Sequence, residues 1–209
     1  MGNRGRFGKY GETKRFERLR QAKAASLPLK ATRTFIPKSI RSEPFRGKPS
    51  DRDKRRRITF RKAGFSDEAF ITQLSGKVFS VFGPYEEMVP RWLMYDSTVT
   101  TIASLDNSPV GFTMLGDPFN RYDLRQVTEL LAIAVDPKDH HRGIGELLLK
   151  EVDKKAVELG VSRILLHTAI ENLPARRLFT KFGYRPWEIK RSFYPKGQDA
   201  IVMSKEPST

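Results

Sequence analysis

The sequence contains no cysteine. This excludes disulfide bonds, zinc sites with cysteine ligands and a cysteine nucleophile. A chain that needs no oxidising compartment suits an intracellular protein, and we predict a cytoplasmic one. Histidine is also scarce, with three residues in 209, and two of the three are adjacent. A histidine-rich metal site is therefore not expected, and we predict no bound metal.

Long apolar stretches are missing as well. No run of apolar residues approaches the roughly 20 that are needed to span a bilayer. The N-terminal part also lacks the apolar segment of a secretory signal. The sequence therefore predicts no membrane association. The hydrophobic content of 38% and the aromatic content of 11% are nevertheless sufficient for one buried core in a chain of this length.

Negative charge is scarce in the first quarter of the chain. Residues 1–57 hold 19 Lys and Arg but only 5 Asp and Glu, so they carry +14 of the total net charge of +15. They are rich in glycine and proline and poor in aliphatic residues, a composition that cannot bury enough apolar surface to offset its ordering entropy. We predict a basic, largely disordered extension over residues 1–57, in which Glu12–Ala25 has the pattern of a short basic helix, and a globular domain over residues 58–209.

The extension also has a pattern that favours a polyanionic partner. The stretch "RGRFGKYG" interleaves arginine, aromatic rings and glycine, which suits phosphate contacts and base stacking. It predicts contact with RNA or the ribosome through residues 1–57. A solvated tail with no partner and a targeting segment are alternatives that the composition leaves open.

Residues 58–209 show the periodicities of both strands and helices. The pattern predicts the order β-α-α-β-β-β-α-β-α-β-β. Ser66 is predicted to cap the first helix, and Asn107–Ser108 to form the turn of a hairpin. The order indicates an α+β fold of the three-layer α/β kind, with one mixed central sheet and helices on both faces.

The stretch "AVDPKDHHRGIGELLLKEV", residues 134–152, takes a strand through a glycine-rich turn into a helix. The first N–H groups of a helix lack internal partners and lie at the positive end of its dipole. Glycines let this backbone approach a phosphate, and Arg142 adds a charged donor. The pattern favours a pyrophosphate site, with a plain tight turn as the alternative. It is not a P-loop, and Leu148 replaces the third glycine of a dinucleotide motif.

A second stretch, "ENLPARRLFTKFGY", places Asn172 after a strand and before a short helix. Together, the two motifs resemble the GNAT superfamily of acetyl-CoA-dependent N-acetyltransferases over about residues 58–209. His140 stands where that family usually has Gln or Arg, and Phe179 where it usually has Tyr. Within the superfamily, "ELLAIAVDP" and "KRSFYPKGQDAIVM" look most like the RimI-like branch, which acetylates ribosomal proteins and N-terminal α-amines.

The resemblance implies acetyl transfer from acetyl-CoA to an amine, with a set of cofactor contacts that map onto this sequence. Backbone donors on the fourth strand would serve the thioester oxygen, and the glycine-rich turn would hold the pyrophosphate. The implied cofactor-binding residues are Ile133, Ala134, Val135, His140, His141, Arg142, Gly143, Ile144, Gly145, Glu146, Asn172 and Phe179.

The same resemblance nominates catalytic groups. Glu129 is the first candidate for the base, because several family members carry a carboxylate six residues before the position of Val135. His167 is its rival, at the place where RimI-like enzymes carry a carboxylate on the fifth strand. Phe179 cannot protonate a leaving thiolate, so Tyr194 or Tyr85 is the candidate acid, although Tyr194 is also expected to line the amine pocket. A solvated glutamate and a core histidine are the non-catalytic alternatives.

The acceptor amine is predicted from acidity. A protein α-amine has a pKa of about 7.7–8.0 and a lysine one of about 10.4, so an α-amine needs less help from a base. We predict a protein N-terminal α-amine as the acceptor. Two alternatives stay open: an acetyltransferase for a lysine or a small polyamine, and a non-enzymatic RNA- or ribosome-binding protein whose domain retains only CoA binding.

Overall fold

A computed structural model describes residues 57–116 and 127–208. The predictions for the basic extension, including the helix over Glu12–Ala25, lie outside these residues except at Arg57. Within the described ranges, seven strands and four helices follow each other in the predicted order. The strands are β1 (Ile58–Lys62), β2 (Thr98–Leu105), β3 (Ser108–Gly116), β4 (Val127–Val135), β5 (Arg163–Ala169), β6 (Arg185–Lys190) and β7 (Ala200–Lys205). The helices are α1 (Glu68–Phe79), α2 (Tyr85–Leu93), α3 (Ile144–Glu158) and α4 (Leu173–Lys181).

The strands form one mixed sheet in the order β1-β2-β3-β4-β5-β7-β6. All neighbours are antiparallel except β4 and β5, which are parallel. On one face, α1 and α2 pack against β2, β3 and β4 through a cluster that includes Ile71, Val89 and Phe112. A second cluster, with Leu149 and Phe179 among its members, packs α3 and α4 against the sheet. The predicted three-layer fold is confirmed.

The start of α1 differs from the prediction, and the prediction that Ser66 caps it is wrong. A 3-10 turn over Phe65–Asp67 precedes the helix, which begins after Asp67. The Asp67 carboxylate accepts hydrogen bonds from the Gly64 N–H at 2.9 Å and from both terminal nitrogens of Arg61 at 2.7 Å. The contact between Asp67 and a strand residue fixes the helix start, and such a contact is not visible in local sequence.

The hairpin between β2 and β3 turns one residue earlier than predicted, at Asp106–Asn107. Both residues have positive φ, 49° and 66°. A two-residue hairpin turn of this kind needs positive φ at both positions, which Asp and Asn tolerate better than most residues.

The two central strands part halfway along their length. The pairing of β4 with β5 runs from Val127↔Arg163 to Leu130↔Leu166. β4 then continues to Val135 alongside β3, and β5 continues to Ala169 alongside β7. A register shift opposite Met114 and Leu115 leaves Leu131 as a bulge in β4, directly after the last pair with β5. The result is an opening in the middle of the sheet, between the C-terminal halves of β4 and β5.

Across residues 57–116 and 127–208, no helix is both long and apolar enough to cross a bilayer.

Candidate active site

Glu129 and His167 meet at the point where β4 and β5 part. Oε1 of Glu129 lies 2.7 Å from Nδ1 of His167, and both side chains are buried, with 6% and 4% of their surface exposed. The sequence nominated these two residues as rival bases. The structure instead makes them one hydrogen-bonded pair, called here the dyad.

The rest of the His167 ring is also enclosed. One ring face stacks on Phe193 at a centroid distance of 4.4 Å and an interplanar angle of 6°. The second ring nitrogen, Nε2, lies 3.3 Å from Nζ of Lys190, at the end of β6. Lys190 was not predicted from the sequence, because the sequence around a lysine in an edge strand does not indicate which residue its side chain contacts.

Aromatic side chains surround the dyad on the side of α2. Tyr194 is buried and packs against Phe82, Tyr85 and Phe193 at centroid distances of 4.9, 6.3 and 5.1 Å. Burial raises the pKa of Tyr194 well above its usual value, and the nearby Tyr85 and the negative charges of Glu129 and Glu171 raise that pKa further. Burial, with the charge of Glu129, likewise raises the pKa of Tyr85. Both phenols are therefore neutral hydrogen-bond donors at physiological pH.

The predicted phosphate turn has a backbone shape that suits an anion. His141 and Gly143 both have positive φ, 61° and 77°, and Gly143 precedes the first residue of α3 without any side-chain cap. N–H groups in such a turn and in an uncapped first helical turn form a concave donor surface. Arg142 is held beside this turn by a 2.7 Å hydrogen bond to the buried carboxylate of Asp139.

Alternation along β4 indicates where its backbone donors point. The N–H of Asp136 donates to Val110 at the β3 side, at a distance of 2.8 Å. Because successive residues of an antiparallel pair turn their backbone groups to opposite sides, Ile133 and Val135 turn theirs toward the opening, and Ala134 turns toward β3. Of the three backbone groups that the sequence nominated, those of Ile133 and Val135 therefore face the site.

Four other nominated side chains make contacts within the protein. His140 donates from Nε2 to the carbonyl of Val135 at 2.9 Å, and Glu146 pairs with Lys181. Asn172 caps α4, because its Oδ1 accepts the Ala175 N–H at 3.2 Å. Phe179 belongs to α4 and is buried in the core that this helix forms with the sheet. These contacts shape the turn and its surroundings, and the cofactor contacts assigned to these residues stay predictions.

Comparison with known protein families identifies the family of this chain. Residues 69–184 match the model of the Acetyltransferase (GNAT) family. The chain belongs to the GNAT acetyltransferase family. The predicted resemblance is thereby confirmed, and with it the prediction of an acetyltransferase that uses acetyl-CoA.

Several relatives lie in the predicted RimI-like branch. The N-alpha-acetyltransferase of Saccharolobus solfataricus is 26% identical over 75% of this chain and 97% of its own length. The [ribosomal protein bS18]-alanine N-acetyltransferase of Salmonella typhimurium is 35% identical over 36% of this chain and 53% of its own length. Among solved structures, the ribosomal-protein-S18-alanine N-acetyltransferase of Escherichia coli superposes with a TM-score of 0.63 over 73% of this chain and 96% of that one, at 21% identity.

The residues of this GNAT chain fit acetyl-CoA. The donor turn at the start of α3 suits a pyrophosphate, and the opening between β4 and β5 leads from that turn to the dyad. The glycine at position 145 allows α4 to pack close, since a Cβ there would lie 3.3 Å from Leu178. In the described part of the chain, no three His, Asp or Glu side chains are grouped as metal ligands.

Proposed function

We propose that this enzyme transfers the acetyl group of acetyl-CoA to the α-amine of a protein N terminus. The observation that carries the proposal is the buried dyad of Glu129 and His167 at the point where β4 and β5 part. The relatives named N-alpha-acetyltransferase support the proposal independently.

The strength of base that such a dyad provides suits an α-amine. The amine must lose its proton before it can attack. At pH 7 about one α-amine in ten is already neutral, against roughly one lysine side chain in 2,500. A carboxylate and an imidazole that share one hydrogen bond can accept the proton of an α-ammonium near neutral pH at little cost.

The aromatic residues beside the dyad favour a peptide end. Phe82, Tyr85 and Tyr194 present ring surface together with neutral hydroxyl groups. Ring surface suits the first side chain of a peptide, and the hydroxyl groups can bind its backbone. A peptide end bound beside these rings would bring its α-amine toward Glu129, because Tyr85 and Tyr194 both lie near that carboxylate.

Each group of the chain then has a defined role. Bound acetyl-CoA supplies the acetyl group as a thioester. The dyad accepts the proton of the substrate ammonium, and the N–H groups of Ile133 and Val135 donate to the thioester oxygen as negative charge develops there. Phe179 has no hydroxyl, so Tyr194, kept neutral by burial, is the proposed proton donor to the leaving sulfur. Tyr194 regains a proton as the attacking nitrogen loses its second one, which leaves the amide, the free thiol and one proton on the dyad.

Acetyl transfer to matched acceptors tests this function. The acceptors are a lysine-free peptide with a free α-amine, the same peptide with a blocked N terminus and one internal lysine, and a polyamine. Tandem mass spectrometry locates the acetyl group. We expect transfer to the free α-amine. Acetylation of the lysine or the polyamine alone, or no transfer to any acceptor, would contradict the proposal.

The basic extension has a proposed role of its own. We propose that residues 1–57 form a separate segment that binds RNA or the ribosome, beside a catalytic domain over residues 58–209 in a cytoplasmic enzyme. The charge of +14 in residues 1–57 supports the segment's role, and the family match at residues 69–184 falls wholly within the proposed domain.

A further inference from the structure

The His167 ring lies between two groups of opposite charge. Its Nδ1 faces the Glu129 carboxylate at 2.7 Å, and its Nε2 faces the Lys190 ammonium at 3.3 Å. Glu129 lies on β4, His167 on β5 and Lys190 at the end of β6. The row of three side chains therefore connects the two halves of the parted sheet. Lys190 is half-buried, which makes its contact with the ring less screened than a surface pair.

These partners determine where the ring carries its hydrogen. An ionised carboxylate only accepts hydrogen bonds, and an ammonium only donates them. Both contacts are satisfied together by the neutral imidazole that has its hydrogen on Nδ1. An imidazolium would direct a second N–H at the Lys190 ammonium. The imidazole ring is held in this orientation, because it is stacked on Phe193 and its side chain is only 4% exposed.

The charge state of the ring decides whether the dyad can act as a base. Ionised Glu129 with neutral His167 has room for one proton. During transfer, one N–H bond of the substrate ammonium breaks and one bond to hydrogen forms on the dyad, which leaves a neutral amine. An imidazolium beside the same carboxylate has already taken that proton.

We propose that Lys190 is a positioning residue, which holds His167 as the neutral Nδ1–H tautomer and so keeps the dyad able to accept the proton of the amine. The inference rests on the proposed function. Lys190 acts through His167 and is assigned no contact with the substrate.

Other titratable groups lie around the dyad. Tyr85 from α2 and Tyr194 from the segment before β7 are near Glu129, and Glu171 is near Tyr194. Both phenols are neutral at physiological pH, so they add no charge next to the His167 ring. Glu129 and Lys190 contact this ring from opposite sides with opposite charges.

Three substitutions separate this role from a structural one. Lys190→Met removes the charge and the donor and keeps the length of the side chain, and Lys190→Gln repeats the loss of charge in a polar side chain. Lys190→Arg keeps both the charge and the donor. Arg185→Met is the matched control, because Arg185 is an exposed cation at the other end of the same strand.

The first measurement is the nitrogen-15 NMR spectrum of the histidine rings, which the chain's three histidines keep simple to assign. In the wild type, Lys190→Arg and Arg185→Met, we expect His167 as the Nδ1–H tautomer at pH 7. In Lys190→Met and Lys190→Gln, we expect imidazolium or a mixture of tautomers. An unchanged His167 spectrum in both neutral variants would overturn the proposal.

The second measurement is the pH dependence of kcat/KM for an α-amine peptide. Loss of the neighbouring positive charge makes His167 easier to protonate, so the acid limb should move up by about one pH unit, since a nearby charge shifts a titration by one to three units. At a pH below the acid limb, kcat/KM should fall roughly tenfold, and it should recover at higher pH, with the affinity for acetyl-CoA unchanged. An acid limb that stays in place in both neutral variants would contradict the proposal.

The two measurements also separate this proposal from the function on which it rests. If the wild-type enzyme acetylates no peptide, the proposed function fails, and the NMR spectra still decide whether Lys190 sets the state of His167. If peptides are acetylated and the spectra are unchanged by Lys190→Met and Lys190→Gln, only the role of Lys190 fails.

Discussion

Two glycines in the same backbone conformation lie at opposite ends of α3. Gly143, with φ 77°, precedes the helix, and Gly160, with φ 68°, follows it. An alanine in this left-handed region costs roughly 1–2 kcal/mol, so Gly143→Ala and Gly160→Ala should lower the free energy of unfolding by similar amounts. Only Gly143→Ala should weaken acetyl-CoA binding. An alanine at position 143 would relieve its backbone strain by changing φ, and this change would reorient the N–H groups proposed to bind the pyrophosphate.

Thermal melting with and without acetyl-CoA tests this pair. Bound ligand raises the melting temperature according to its affinity. The rise should be smaller in Gly143→Ala than in Gly160→Ala, which should match the wild type. An equal rise in all three proteins would mean that the turn before α3 does not bind the cofactor.

Individual residues could be nominated from the sequence, but their contacts could not. Glu129 and His167 are 38 positions apart, and only the register of β4 and β5 brings them together. Lys190 reaches His167 because β6 has a register shift between Pro186 and Glu188, which changes the face on which the following residues lie. A bulge of this kind has no reliable local signature.

At the scale of elements, a buried ion pair ties the last strand to α3. Lys205 of β7 donates to Asp153 of α3 at 2.6 Å, and their side chains are 6% and 11% exposed. Removal of one partner leaves a buried charge uncompensated. Lys205→Met should therefore lower the free energy of unfolding by about 3–5 kcal/mol, as measured by urea denaturation.

An exposed pair on the same helix provides the control. Lys155 and Glu158 are also in contact, with side chains 36% and 45% exposed. Lys155→Met should change the free energy of unfolding by less than about 1 kcal/mol. The double variant Lys205→Met/Asp153→Leu should recover most of the stability that Lys205→Met loses. If Lys205→Met is as mild as Lys155→Met, the buried pair does not join these elements.

The order of the elements was predictable because each has a clear period, whereas some boundaries depend on distant partners. The start of α1 is fixed by the ion pair of Asp67 with Arg61 of β1, so Ser66 was a reasonable cap by local rules and a wrong one in the fold. The parting of β4 from β5 depends on the bulge at Leu131, which the apolar sequence of β4 does not reveal.

At the scale of the whole molecule, charge and catalysis are assigned to different segments. Deletion of residues 1–57 should weaken binding to a single-stranded RNA and flatten its dependence on salt concentration, since each phosphate contact adds to that slope. Acetylation of a short peptide should stay within about twofold of the full-length enzyme. Unchanged RNA affinity after the deletion would contradict the proposed role of the extension.

The family and its cofactor could be predicted from the sequence because two motifs lie at strand–helix junctions, where local residues define the site. The acceptor is harder to predict. The pocket proposed for it includes Phe82, Tyr85 and Tyr194, which are brought together by the fold from a loop, a helix and the segment before the last strand. Only the branch resemblance and the acidity of amines pointed to an α-amine.

The most direct test of the account is kcat/KM for one α-amine peptide in the wild type, Glu129→Gln, His167→Ala and the double variant. If the two residues form one base, each single variant should lose roughly a hundredfold or more, and the double variant should lose little beyond either single one. Turnover close to the wild-type value in the double variant would contradict the assignment of Glu129 and His167 as the base.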